Sequence, residues 1–409
     1  MDTHGPWRRA AAVTGLLADS GEVAPTIFAR MSALAADASA VNLGQGFPDG
    51  QPPTIVADAA VSAIRAGVNQ YPPGPGTPTL RRAIADHQRH RYGLQWDPER
   101  EVLVTTGATE ALAATLLALV SPGQEVLTLE PYYDAYAAMI ALAGGIHRTV
   151  RIEHRRRADG TLELDVDPAR LREAITDRTR LILLNTPHNP TGLVLDRDVL
   201  AAAVEGAIAH DALIVCDEVY EHLILDDDAR HLPPATLPGA QDRTLTIGSA
   251  GKSFRVTGWK IGWVTARPAL ITAVTGVKQW LTYTSGAPFQ DAVAVGLAQD
   301  EHALTSPARE LRRCRDLLVE GLRDLGLPVT VPAGGYFVLA DAAAWGEADA
   351  EALCERLPQE AGVAMIPVSA FHPPGGAGEH RSWVRVAFCK DEATIREGLR
   401  RLGAWRSRA

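Results

Sequence analysis

Short apolar runs punctuate the first two thirds of the chain. Val102-Leu103-Val104-Thr105, Val126 to Leu129, Leu181 to Leu184, Ala212 to Cys216 and Thr244-Leu245-Thr246-Ile247 contain no charged residue. Unbroken runs of this length, not alternating with polar positions, predict strands covered on both faces and hence a mainly parallel sheet. Between them the spacing turns helical, as from Thr109 to Val120, which Pro122-Gly123 closes. The pattern predicts an α/β protein. Ahead of it, residues 5–38 read as an arm with one helical stretch on Ile27, Met31 and Leu34. A single long helix is expected from about Pro288 into Arg323, followed by strands and helices on a smaller scale from Val329 to Arg401. These shifts divide the chain into an arm that joins the small domain (1–48), a large domain (49–290) and a C-terminal small domain (291–409).

Composition narrows the function. The 409 residues are 46% hydrophobic and 22% charged, ordinary values for a globular protein. A net charge of -9 argues against nucleic acid as a partner. Cys216, Cys314, Cys354 and Cys389 show no C-x-x-C spacing and read as thiols of a reducing compartment. No apolar run reaches membrane-spanning length, and Met1 to Ser20 lack a signal peptide's apolar core, so a cytoplasmic protein is expected.

The chemistry gathers where the runs end. Leu184 leads into Asn185-Thr186-Pro187-His188-Asn189-Pro190-Thr191-Gly192, and Cys216 into Asp217-Glu218-Val219-Tyr220. Taken singly, the aspartate reads as a helix N-cap and the Asn-Pro-Thr-Gly run as a turn. The run at 244–247 stops at Gly248, which puts Lys252 in a turn of small residues at a strand's C-terminal end, where parallel sheets place their ligands. A partly dehydrated lysine there is a nucleophile toward carbonyls. The turn Thr106-Gly107-Ala108-Thr109 offers free N–H groups at a helix N-terminus, a phosphate cradle. Arg385, flanked by apolar residues in Trp383-Val384-Arg385-Val386-Ala387-Phe388, wants an anionic partner. The Pro/Gly loop from His372 to Gly378 is expected to be mobile.

Several rival motifs fail. Gly251-Lys252-Ser253 ends like a nucleotide-triphosphate loop, but Thr246 stands where that loop needs glycine. Gly44 and Gly46 begin a dinucleotide fingerprint that Asp49 breaks. His87 and His90 form the one close histidine pair and no H-E-x-x-H occurs, so no metal site is expected; no G-x-S-x-G elbow occurs either.

The stretch Ser249-Ala250-Gly251-Lys252-Ser253-Phe254-Arg255-Val256-Thr257-Gly258-Trp259-Lys260 resembles the lysine signature of fold-type I pyridoxal-phosphate (PLP) enzymes, the class I/II aminotransferases. Asn-Gln-Tyr at 69–71, Gly-Ala-Thr-Glu-Ala-Leu at 107–112 and the motifs at 185–192 and 217–220 agree, so the resemblance spans nearly the whole chain. Lysine at 260, in place of the usual arginine, is similar to the kynurenine, glutamine and methionine aminotransferase branch. Gly-Val-Asn-Gln-Tyr-Pro-Pro-Gly-Pro-Gly (67–76) and Gly-Ala-Pro-Phe-Gln (286–290) resemble bacterial N-succinyldiaminopimelate aminotransferases.

That resemblance implies roles. Lys252 holds PLP as a Schiff base and moves the proton as general acid and base, with Asp217 on the pyridine nitrogen. Asn189 and Tyr220 bond the phenolic oxygen, and Tyr133 stacks on the ring. Ala108, Thr109, Ser249 and Lys260 bind phosphate with Tyr71 of the other subunit. Arg385, with Asn185 beside it, grips the substrate carboxylate near the Gly46 loop, while Phe28 and, from the other subunit, Tyr283 line the side-chain pocket. A homodimer acting on an L-amino acid and a 2-oxo acid follows. Two alternatives are a carbon–sulfur β-lyase on cysteine conjugates and a non-catalytic PLP sensor. The sensor would need a DNA-binding domain, for which the forty residues before Gly44 leave no room.

Overall fold

The computed structural model describes residues 5–408. Its centre is a seven-stranded sheet of Val102–Thr106 (β1), Glu125–Glu130 (β2), Ile146–Arg151 (β3), Thr179–Asn185 (β4), Leu213–Asp217 (β5), Thr244–Ser249 (β6) and Ile261–Thr265 (β7). The strand order is β1-β7-β6-β5-β4-β2-β3. β7 pairs antiparallel with both neighbours, and the pairs β6–β5, β5–β4, β4–β2 and β2–β3 are parallel.

The apolar runs explain the layering. Side chains alternate across a strand, so in β4 Leu181 and Leu183 face one set of helices while Ile182 and Leu184 face the other. Leu183 packs with the helices Gly107–Leu119, Ala135–Leu142 and Pro268–Leu281; Ile182 packs with Arg197–Ala209. A Leu183→Ala cavity in such a layer costs about 2–5 kcal/mol. The same alternation sends Asn185 and Asp217 toward the first face.

A second core joins the arm to the C-terminal part. Met31 and Leu43 pack with Leu318, Val384 and Phe388, and Val41–Asn42 pairs parallel with Val363–Ala364. A three-stranded antiparallel sheet supports it: Phe337–Asp341 (β8), Ile366–Pro367 (β9) and, between them, Trp383–Ala387 (β10). Val219 and Tyr220, just past β5, belong to this core, so the end of β5 lies where the two cores meet.

Several expectations need correction, and the first is the arm, which carries two helices, Pro6–Val13 and Ile27–Asp37, where one helical stretch is expected. Gly248 does not end its strand: β6 runs to Ser249, and Lys252 sits in a one-turn helix, Ala250–Ser253, capped by Ser249. The glycine is there because a Cβ would lie 2.2 Å from the Trp263 ring. The helix expected from Pro288 to Arg323 is two helices, Ala287–Leu297 and Glu301–Asp324. Asp300 restarts the chain by accepting from the Ala303 amide at 2.9 Å. The loop at 372–378 is anchored at its first residue, for His372 Nδ1 lies 2.8 Å from Glu130 Oε1 and His380 Nδ1, just past the loop, lies 3.1 Å from His372 Nε2. No described helix is long and apolar enough to cross a membrane.

Candidate active site

β1, β4, β5 and β6 end on one cavity of about 330 Å³ between the two cores. At one end lies the first turn of the Gly107–Leu119 helix. No side chain caps it, and Gly107 takes φ +72°, a left-handed conformation natural to glycine. The amides of Ala108 and Thr109 therefore face the cavity unclaimed by the helix. The Lys260 Nζ comes in beside them, 3.4 Å from where a Gly107 Cβ would stand. Ser249 Oγ accepts from the Gly251 amide at 3.2 Å, which leaves its proton to donate. Amides at a helix end, a hydroxyl and an ammonium together suit an anion such as a phosphate.

Asp217 occupies the middle. It is buried, and Tyr136 Oη donates to its Oδ2 at 2.7 Å. Burial raises its carboxyl to about 6, with the Tyr136 bond pulling the other way. The Lys252 amine lies 6.0 Å from the centre of the Tyr220 ring and 5.8 Å from that of Tyr336. Burial pushes this amine below its ordinary value; Asp217 opposes the shift, while Lys260 and Arg385 add to it. A lysine so placed reaches its neutral, nucleophilic form more readily than one in water. Tyr133 lines the same wall, its hydroxyl pushed up to about 12 by burial.

Arg385 stands at the opposite end. Its Nη1 donates to Asn189 Oδ1 at 3.1 Å and its Nη2 to the Gly44 carbonyl at 3.0 Å, while its buried Nε has no partner. The guanidinium lies over Phe337 at 3.9 Å, with Phe371 and Phe28 further round. Burial lowers it to about 10, so it stays charged at neutral pH. Gly46 must be glycine because Phe337 would lie 2.5 Å from a Cβ, and its carbonyl accepts from Tyr336 Oη at 2.6 Å. Asn185 lines the cavity, but its Nδ2 donates to the Asp217 carbonyl and its Oδ1 accepts from the Asn189 amide. It thus joins β4, β5 and Asn189, and among the described residues Asn189 is the amide that touches Arg385.

Two expected residues lie outside this wall. Tyr71 is 83% exposed and Tyr283 50% exposed, their rings packed edge-to-face at 6.0 Å. Four cavity residues carry no signal in the sequence pattern: Tyr136, Tyr336, Phe337 and Phe47.

Behind the Asp217 turn, and outside the cavity, His87, Glu221 and His222 bring three potential metal-ligand atoms together. His90 is not among them; it is exposed. Ser253 Oγ is within 3.3 Å of the Ser249 carbonyl and 2.7 Å of His222 Nδ1. With the serine proton on that carbonyl, His222 donates from Nδ1 and accepts at Nε2, where His87 Nε2 lies 2.8 Å away. These bonds link Ser253, His222 and His87 in a chain, and the buried His87 Nδ1 has no partner among the described residues.

Residues 38–402 match the aminotransferase class I and II family. The chain is 49% identical to a probable N-succinyldiaminopimelate aminotransferase, DapC, of Mycobacterium tuberculosis, over 93% of its length and 96% of the relative's. The structure of N-succinyldiaminopimelate aminotransferase from that organism superposes with a TM-score of 0.89 at 48% identity, covering 93% of this chain and 97% of that one. The methionine aminotransferase of Escherichia coli is 37% identical over 93% of this chain and 96% of its own. With a phosphate-sized cradle, a depressed lysine and an isolated guanidinium arranged around one buried aspartate, the chain belongs to the class I and II aminotransferases, fold-type I enzymes that transfer amino groups with PLP.

Proposed function

We propose that this chain binds PLP in the cavity at the strand ends and moves an amino group from an L-amino acid to a 2-oxo acid, working as a cytoplasmic homodimer. The observation that carries the reading is the order of groups along the cavity: anion cradle, buried carboxylate with nearby amine, then guanidinium. That order of groups suits PLP. The Ala108 and Thr109 amides, Ser249 and Lys260 would hold its phosphate, Tyr133 its ring face, Asn189 and Tyr220 its phenolic oxygen, and Asp217 its pyridine nitrogen. Bound there, PLP supplies an electron sink for the pair left when the substrate α-proton departs.

The chain's own residues do the rest. Lys252 takes the α-proton as its neutral amine and returns it as its ammonium. Asp217, ionised above about pH 6, would hold a proton on the pyridine nitrogen of bound PLP. Arg385 binds the substrate carboxylate with its partnerless Nε and an Nη, and the phenyl faces around it exclude water and strengthen that pair. Among the described residues Arg385 is the one guanidinium on the wall, and Phe28 and Phe47 line it too. That composition favours donors with an uncharged side chain. The similarity to DapC adds N-succinyl-diaminopimelate-like amino acids to the candidates. We divide the chain at 48 and 290, with the site between the two larger parts.

A dimer is supported by the apolar surface around Tyr71 and Tyr283. Trp280 is 82% exposed and Leu281 47% exposed at the same place. In that dimer Tyr71 reaches the partner's phosphate and Tyr283 the partner's side-chain pocket. The test is an amino-donor screen with 2-oxoglutarate and then pyruvate as acceptors, beside borohydride reduction and peptide mapping. Cofactor fixed to the Lys252 peptide and turnover that needs an acceptor are expected. Pyruvate released from cysteine conjugates without acceptor would make the protein a β-lyase instead.

A further inference from the structure

Lys278 is a buried lysine that the cavity does not use. It lies in the last turn of the Pro268–Leu281 helix with 2% of its surface exposed. Its ammonium donates to the Gly74 carbonyl at 2.8 Å and to the Tyr283 carbonyl. Burial pushes this amine below its ordinary value, and Glu110 pulls it back. The two carbonyls belong to the two segments that present Tyr71 and Tyr283. The segments also meet where Thr284 Oγ1 reaches the Pro73 carbonyl at 3.4 Å and where the two tyrosine rings pack, and just beyond them Gln290 accepts from the Thr77 amide and donates to the Ser285 carbonyl, both at 2.7 Å. Tyr283 also takes φ +60°, a conformation a bulky side chain resists and its surroundings must enforce.

We propose that Lys278 is a positioning residue that acts on the neighbouring subunit's site, by locking the Tyr71 and Tyr283 segments into one rigid unit. Burying an ammonium is costly, and two carbonyl acceptors offset that cost only if both segments hold still. The lysine thereby fixes how far the two phenol rings stand from their own surface. This inference rests on the shared-site reading above.

The experiment uses Lys278→Met, with Lys278→Gln, which keeps one donor, as the second variant should the first not fold. The homodimer of either variant should bind PLP about tenfold more weakly than wild type, with KM for the donor raised and kcat changed less. Each is then combined with Lys252→Ala in mixed dimers. The one live site there uses the lysine of the Lys278 variant and takes its tyrosines from the Lys252→Ala chain, whose Lys278 is intact. PLP affinity at that site should return to the wild-type value. A defect that persists while Tyr71→Ala and Lys252→Ala do complement each other would overturn the inference and leave shared sites standing. Failure of both pairs to complement, with mixed dimers confirmed by mass, would remove the shared-site reading itself.

Discussion

Asp217 and Glu221 lie four residues apart, on opposite sides of one turn, and are equally hidden, at 4% and 2% exposure. Burial raises both carboxyls, yet they end in opposite places. Around Glu221 the protein supplies the answer: the Tyr92 hydroxyl donates at 2.8 Å and the imidazoles of His222 and His87 stand close, so its carboxyl ends below the usual range. Asp217 has the Tyr136 hydroxyl on Oδ2, the Val219 amide 3.4 Å from Oδ1 and the charge of Lys252, and burial prevails. One carboxylate is completed by the fold, and the other has open cavity where a cation would sit. An acid held near 6 on a cavity wall reads as a functional group, and an acid lowered by its neighbours away from the cavity as a structural one.

The comparison can be broken by mutation. Lys252→Ala should abolish turnover while circular dichroism stays unchanged; label fixed by borohydride on Lys260 or Lys278 would show the wrong amine had been chosen. Asp217→Asn should lower single-turnover deamination about 10²–10³-fold while PLP still binds, as expected for a charge aimed at the reacting ring. Glu221→Gln should leave that rate within a few-fold of wild type. Equal losses in the two variants would erase the distinction drawn between them. Arg385→Lys should raise KM about tenfold or more for every donor, because lysine lacks the planar fork.

The smallest effect is in stability against pH. Asp217 has a folded-state pKa above its unfolded value, so the folded protein holds its proton more tightly between about 4 and 6. Stability from this group is present below that window and lost as pH rises through it. Glu221 is depressed, so its contribution is present above the ordinary glutamate range and lost as pH falls below it. Without PLP, Asp217→Asn should therefore melt a degree or two above wild type at pH 8 and show no gain at pH 4. Glu221→Gln should melt below wild type at pH 8. Differential scanning calorimetry at both pH values reads the two signs.

Much of this is legible in the sequence. The apolar runs located five strands, and their ends delivered Asn185, Asp217 and the Lys252 segment to one edge, because strand polarity is a local property. Gly248 was misread for an equally physical reason: its neighbour, Trp263, comes from another strand. The helix restart at Asp300 was hidden because its apolar spacing continues across the break. His87 meets His222 across 135 residues and Phe337 meets Arg385 across the small sheet, contacts for which no local pattern exists.

β7 is the strand that runs against its neighbours, and Gly262 lies within it. A Cβ there would stand 2.6 Å from the Gly107 carbonyl carbon and 2.7 Å from the Ala108 nitrogen. Backbone thus rests on backbone, with no side chain between to act as a cushion. Lys260 enters the cavity two residues earlier in the same chain, so the amides and the ammonium of the cradle are two parts of one stiff body. That body continues sideways, since Gly262 pairs with Ser249 and Ser249 caps the turn that carries Lys252. Tension from an anion seated in the cradle would reach the lysine through rigid main chain. Hydrogen exchange at the Ile261 to Thr265 amides should accordingly slow when inorganic phosphate alone is added, before any ring or amine is in place.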